Sequence, residues 1–301
     1  MSWINTALLS AGILGFVNII DSHLVSRRMP SVRAFLLPVG IIHLVYGLAL
    51  LIIFPFPQGV GAWPFGVAVI SGFIRSGAII IMFHIMTREE VSRVIPVVYT
   101  YPIFVAIAAV VFLGEDLVSL QWLAIIIVVA GAIMVSLKRS ASGTGAYHLG
   151  RSFGLLLISS LLMAAADVTS KYALNYISFW NMYSLTVFCM SSLFFLVSLR
   201  RSVFRELRST ERRGSAIALL AFNEILAPAG IVLAFWAIER GPVSLVSTIL
   251  GSRPIFVFIF ALVLGRIFPV LLDWRPSKEA LMLRLTATVM IAGGIAIIHL
   301  L

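Results

Sequence analysis

The chain has 301 residues, 61% of them hydrophobic and only 11% charged, with a mean hydropathy of +1.09. A soluble domain carries roughly a quarter charged residues, so composition excludes an ordinary water-soluble fold. The net charge of +10 would suggest a nucleic-acid partner on a soluble chain. Here the arginines sit between apolar runs, so no nucleic acid is expected and the charge reads as membrane topology.

Apolar runs at 4–24, 33–55, 63–86, 91–113, 119–137, 151–176, 178–199, 214–238, 243–265 and 282–301 predict an all-α integral membrane protein with ten spans. Each run is close to the ~20 residues that cross a bilayer. The runs are long and lack strict alternation, which argues against barrel strands. The first run has no basic segment before it and no small-residue cleavage pattern, so it reads as a retained span rather than a signal peptide.

In chain order, span 1 carries Asp21 near the end that meets Arg27 and Arg28, an expected interfacial ion pair. Span 3 carries Arg75 close to its middle, beside the close-packing spacing Gly72-x-x-x-Ser76. Span 4 holds Tyr99 and Tyr101 between Pro96 and Pro102; the prolines predict a bend, and the rings either line a cavity or pack. Span 6 holds Asp167 and Lys171, four apart on one helical face, the spacing of an internal ion pair. In span 8, Asn223-Glu224 precedes Ala227-Pro228-Ala229-Gly230, where a helix break is expected. Span 9 opens its apolar half with Arg253. His43, His84 and His299 lie on separate spans and read as packing or interface residues. The single cysteine, Cys189, excludes an internal disulfide framework and offers no metal cluster.

The connections after spans 1, 3, 5, 7 and 9 hold 18 Lys and Arg residues, and those on the other side hold only Arg240. This bias predicts that the odd connections are cytoplasmic and both termini outside, in a multi-pass protein of the plasma (inner) membrane. The chain also repeats itself. Val91–Val111 and Val243–Val263 match at an offset of 152 with ten of 21 residues identical, including the shared Pro-Ile-Phe-Val. The position just before that motif is Tyr101 in one copy and Arg253 in the other. "VVAGAI" at 128–133 echoes "MIAGGI" at 290–295. Two five-span halves, 1–139 and 151–301, must be inverted relative to each other because five is odd. Inverted repeats are a hallmark of secondary transporters, with substrate bound near the midplane.

Pro102, Phe104, Leu113, Gly114 and Glu115 in span 4, with the small residues Ala130-Gly131-Ala132 and Ala292-Gly293-Gly294 in spans 5 and 10, resemble the EamA-like family of the drug/metabolite transporter superfamily. The resemblance implies a cavity lined by spans 1–4 and 6–9, peripheral spans 5 and 10, and export or exchange of amino acids and other small metabolites. The second half departs from the pattern, with Gly265-Arg266 in place of Gly-Glu and an insertion that includes PVLLDWRPSK.

Charges at membrane depth are costly and mark functional sites. Arg75, Glu224 and Arg253 are expected in a shared wet cavity with Tyr99, Tyr101 and Asn223. One glutamate cannot neutralise two arginines, so either Asp167 supplies the second charge or an anionic substrate does, bound by the planar guanidinium. Asp21, Asp167 and Lys171 are expected as ion-pair or proton-coupling groups, and Glu224 shares the proton role. The expected function is alternating-access transport of a small polar metabolite such as an amino acid or organic anion. The alternative is a polyprenyl-phosphate or other lipid-linked carrier using the same arginines. No His-Glu-x-x-His, paired-aspartate motif, Cys/His cluster or phosphate loop occurs, so neither an enzyme nor a cofactor is expected. The partners expected are a small-molecule substrate, the bilayer and a second copy of the chain through spans 5 and 10.

Overall fold

The computed structural model describes residues 2–87, 94, 97–136, 151–209, 213–267 and 278–301. Pro96, several of the basic connection residues (Arg88, Arg93, Lys138, Arg139, Arg212, Arg275) and all but the last residue of PVLLDWRPSK lie outside that set. Every regular element among the described residues is helical: α1 (Trp3–His23), α2 (Val32–Ile53), α3 (Ala62–Met86), α4 (Tyr101–Ala108), α5 (Ser119–Ser136), α6 (Arg151–Leu174), α7 (Phe179–Ser198), α8 (Arg201–Arg208), α9 (Arg213–Arg240), α10 (Val243–Leu250), α11 (Arg253–Ile267) and α12 (Lys278–Leu300). Wider turns extend α1 through Arg28 and α4 through Leu113. Gly114, at φ +66°, then stops the chain in a left-handed conformation that a side chain would strain.

Seven stretches are long and apolar enough to cross a membrane: Trp3–Arg28, Val32–Ile53, Ala62–Met86, Ser152–Leu174, Phe179–Ser198, Gly214–Arg240 and Val243–Phe260. Tyr101–Leu113, Ser119–Met134 and Leu285–Leu300 are shorter apolar helices. Ser2, Ser31 and Ser178 cap α1, α2 and α7, each side chain accepting a first-turn N–H. The short α8 carries Arg201, Arg205 and Arg208 and tucks Val203 against Ala34 and Leu37 of α2.

The two halves interleave. α1 packs along α9, α3 along α6, α2 along α7 and α5 along α12. Several of these contacts recur in matching form. Ser10 Oγ donates to the Gly230 carbonyl at 2.7 Å, and Ser159 Oγ donates to the Ala78 carbonyl at 2.8 Å. Between α5 and α12, Gly131 faces Ile291 and the Ala287 carbonyl, while Gly294 faces Val128 and the Ala124 carbonyl. Thus the small-residue faces of spans 5 and 10, expected to hold a second copy, are engaged with each other within one chain. One correspondence is not matched: the backbones of α3 and α7 pack closely, whereas those of α9 and α2 lie further apart and meet through side chains.

Both candidate span-4 and span-9 segments break at the same place. The chain turns at Tyr99–Thr100 before α4 and at Gly251–Ser252 before α11. Thr100 Oγ1 donates to the Val97 carbonyl at 2.7 Å, and Ser252 Oγ donates to the Ile249 carbonyl at 2.6 Å. The shared Pro-Ile-Phe-Val therefore begins a new helix each time, with proline in the first turn, where its missing N–H costs nothing. The expected break in span 8 does not occur: α9 runs through Pro228. Proline lacks the N–H that would bond the carbonyl four residues earlier, that of Glu224. Tyr46 Oη of α2 donates to that carbonyl at 2.8 Å, so the freed acceptor is satisfied and the helix continues.

Candidate functional site: a two-walled central cavity

An open cavity of about 130 Å³ lies between the two halves. Its lining is mostly apolar, with Leu14, Phe35, Phe83, Met190, Phe194 and Phe235 among the contributors. Seven polar or charged groups the sequence singled out also reach it: Asp21, Arg75, Tyr99, Tyr101, Asp167, Glu224 and Arg253. Concave, largely apolar sites with a few placed polar groups are the usual form of small-molecule sites.

On one wall stand the groups from the two helix breaks. Arg253, the first residue of α11, places its guanidinium carbon 5.8 Å from the centre of the Tyr99 ring, within cation–π range. The Tyr99 oxygen accepts from Asn18 Nδ2 at 2.7 Å, which holds the ring in place. Tyr101 is also buried, and its hydroxyl donates to the Ser247 carbonyl at 3.3 Å. Arg253 Nε is buried and has no hydrogen-bond partner. Among the described residues, no carboxylate lies in ion-pairing distance of Arg253.

Arg75 is different. Its Nη2 donates to Asp167 Oδ1 at 2.8 Å, and its guanidinium sits 5.2 Å from the centre of the Phe235 ring. Asp167 Oδ2 accepts from Ser247 Oγ at 2.6 Å. Both oxygens of Asp167 are therefore occupied, and the Arg75–Asp167 pair neutralises itself between α3 and α6. Removing one partner of such a pair costs about 3–5 kcal/mol, which suits a structural tie.

The expected Asp167–Lys171 pair does not form. Lys171 Nζ instead donates to the carbonyls of Ile238, Glu239 and Gly241 at 2.8, 3.1 and 2.8 Å. It caps the C-terminus of α9, where the macrodipole favours a cation. The four-residue spacing puts the two residues on one side of α6, but Asp167 meets a stronger partner across the bundle.

A second part of the lining is acidic. Asp21 does not pair with Arg27 or Arg28; its Oδ1 accepts from Asn223 Nδ2 at 2.7 Å. Glu224 meets neither arginine, and its Oε2 lies 3.1 Å from His43 Nε2. His43 is thus a cavity residue and not the packing histidine that its apolar span suggests. One signal for it exists in the sequence: His43 lies eleven residues beyond Val32, the first residue of α2, and Glu224 eleven beyond Arg213, the first of α9. Both helices start at the Arg-rich end, so the two residues share a depth.

A model of the EamA-like transporter family matches residues 1–137 and again residues 151–274. The chain belongs to the EamA-like transporter family. It is therefore a multi-pass membrane protein of transporter type. Among solved structures, 27 chains match. One, described only as "Crystal structure of protein", is 19% identical, has a TM-score of 0.71, and aligns over 99% of this chain and 95% of its own. At that identity the likeness concerns the fold alone. A search of curated proteins returns no match.

Proposed function

We propose that this EamA-like protein is a secondary transporter that moves a small polar metabolite, such as an amino acid or organic anion, by alternating access. The observation that carries the reading is Arg253. It is a cation at a helix break, held by an aromatic ring, facing a cavity, and without a carboxylate partner among the described residues. Leaving such a group uncompensated at membrane depth is costly, and a substrate carboxylate or phosphate supplies the missing charge in the planar geometry arginine favours.

The halves are proposed to be inverted five-span repeats, 1–139 and 151–301, which rock against each other. The reciprocal serine–carbonyl and glycine contacts support this reading, as do the twin breaks at Thr100 and Ser252. In this reading the Arg-rich connections are cytoplasmic, both termini lie outside, and the membrane is the plasma (inner) membrane.

A thermal-shift screen of purified protein against amino acids, organic acids and phosphorylated metabolites selects the substrate, and proteoliposome uptake of that hit tests the site. Arg253→Ala is expected to lower uptake at least tenfold, since a hydrogen bond to a charged group is worth about 1.5–3 kcal/mol. Uptake that survives this change undiminished removes Arg253 from the site.

A further inference from the structure

The charges of the cavity do not balance evenly between its walls. Asp21, His43 and Glu224 all line it and are 9%, 4% and 4% exposed. Two buried polar atoms of this wall, His43 Nδ1 and Glu224 Oε2, have no hydrogen-bond partner; Asn223, expected in the cavity, is fully buried outside its lining, and its Oδ1 has none either. The 3.1 Å His43–Glu224 contact brings the two groups within ion-pair range without hydrogen-bond geometry. Such orphaned atoms are rare inside proteins, and each calls for an explanation.

The helices packed against α9 offer no other compensation. From α2, Tyr46 spends its hydroxyl on the Glu224 carbonyl. From α7 comes Tyr183, whose buried hydroxyl is also unpaired. From α6, Asp167 is held by Arg75 and Lys171 by the α9 carbonyls. Segment α10 brings no titratable side chain. Arg28, in the turn after α1, donates to Ser215 at 2.7 Å. Among the described residues, no Arg or Lys pairs with Asp21 or Glu224.

With two ionised carboxyls and a neutral imidazole, this wall carries two negative charges. It is neutral only when two protons occupy its three titratable groups. A membrane-embedded site favours neutrality, whereas opening to water removes most of that penalty. Proton occupancy is thus tied to which state of the bundle is open.

We propose that the Asp21–His43–Glu224 wall is the binding site of the coupling ion, and that the ion is a proton. This rests on the transporter reading above and names the driving ion that reading leaves open. The step is simple: a proton from water joins a carboxylate oxygen as the site closes and leaves as it opens, with no other bond made or broken.

The test needs no substrate, so it stands or falls apart from the Arg253 assignment. Purified full-length protein in lipid vesicles is stepped between acidic and alkaline buffer. Infrared difference spectroscopy follows the C=O stretch of protonated carboxyls. The wild type is expected to show a titrating carboxyl band. Glu224→Gln and Asp21→Asn should each remove part of it, and His43→Gln should move its midpoint. The proposal is overturned if neither Glu224→Gln nor Asp21→Asn reduces the band. Should Glu224→Gln fail to fold, Asp21→Asn and His43→Gln decide the matter by the same readout.

Discussion

At the scale of single residues, Tyr46 and Pro228 show how one side chain decides whether a helix continues. Pro228 leaves the Glu224 carbonyl without its helical donor, and Tyr46 supplies a replacement from α2. Tyr46→Phe is therefore expected to lower stability by about 1 kcal/mol, the usual worth of one such bond. The lone contribution can be isolated: in a Pro228→Ala background the backbone N–H returns, and Tyr46→Phe should then cost much less. Thermal unfolding in detergent of the wild type, both single variants and the double variant measures the difference. Equal losses in the two backgrounds would sever the link between these residues. The sequence located Asn223, Glu224, Arg75 and Arg253 at membrane depth, because a charge in an apolar run is conspicuous. It could not assign their partners, since pairing depends on which faces meet across helices far apart in the chain. Arg75 chose Asp167 over Glu224, and Glu224 chose a histidine whose polarity is too slight to stand out in an apolar span.

At the scale of elements, hydropathy located the helices, and the prolines of span 4 announced its bend, but the break expected in span 8 is absent and the one in span 9 was not foreseen. What hydropathy could not give was register. Aligning "VVAGAI" with "MIAGGI" matches Gly131 to Gly293, yet the glycine in reciprocal close contact is Gly294. A helix turns about 100° per residue, so an error of one position changes which side chain faces the partner. Adjacent glycines thus separate the two registers. A Cβ on Gly294 would lie 2.6 Å from Val128 Cγ2 and 3.0 Å from the Ala124 carbonyl, while a Cβ on Gly293 meets nothing within 4 Å. Gly294→Ala should destabilise by about 1–3 kcal/mol, as overpacking does, and Gly293→Ala should be neutral or better. The ordering of the two melting temperatures is the measurement, and the reverse ordering would restore the sequence alignment.

At the scale of the whole molecule, the end of the bundle that carries Arg240 is tied by groups of opposite sign from the two halves. Glu115, just after the first half's Gly114, accepts from the Val243 and Ser244 backbone N–H groups at 2.6 and 3.3 Å and from the Ser244 hydroxyl. Lys171 holds the last carbonyls of α9. The Gly241–Pro242 turn is therefore clasped by an anion at the N-terminus of α10 and a cation at the C-terminus of α9, each the sign its helix end favours. The alternating access proposed above requires that one such clasp release, and Glu115 is the member that crosses between the halves. In Glu115→Gln the amide oxygen still accepts on its side, but the amide nitrogen cannot accept on the other and the charge is gone. A reporter cysteine at Ile238, which lines the cavity and is 1% exposed, would read the opening in a Cys189→Ala background. With Glu115 present, a membrane-impermeant maleimide added from the Arg240 side should label it slowly. Glu115→Gln should speed labelling about tenfold, the shift expected from losing about 1.4 kcal/mol of charge-assisted bonding. Unchanged labelling would make Glu115 a static helix cap, and the moving contact would then have to lie among the remaining ties at that end, Glu239 with Phe179 and Asn181 with Phe54.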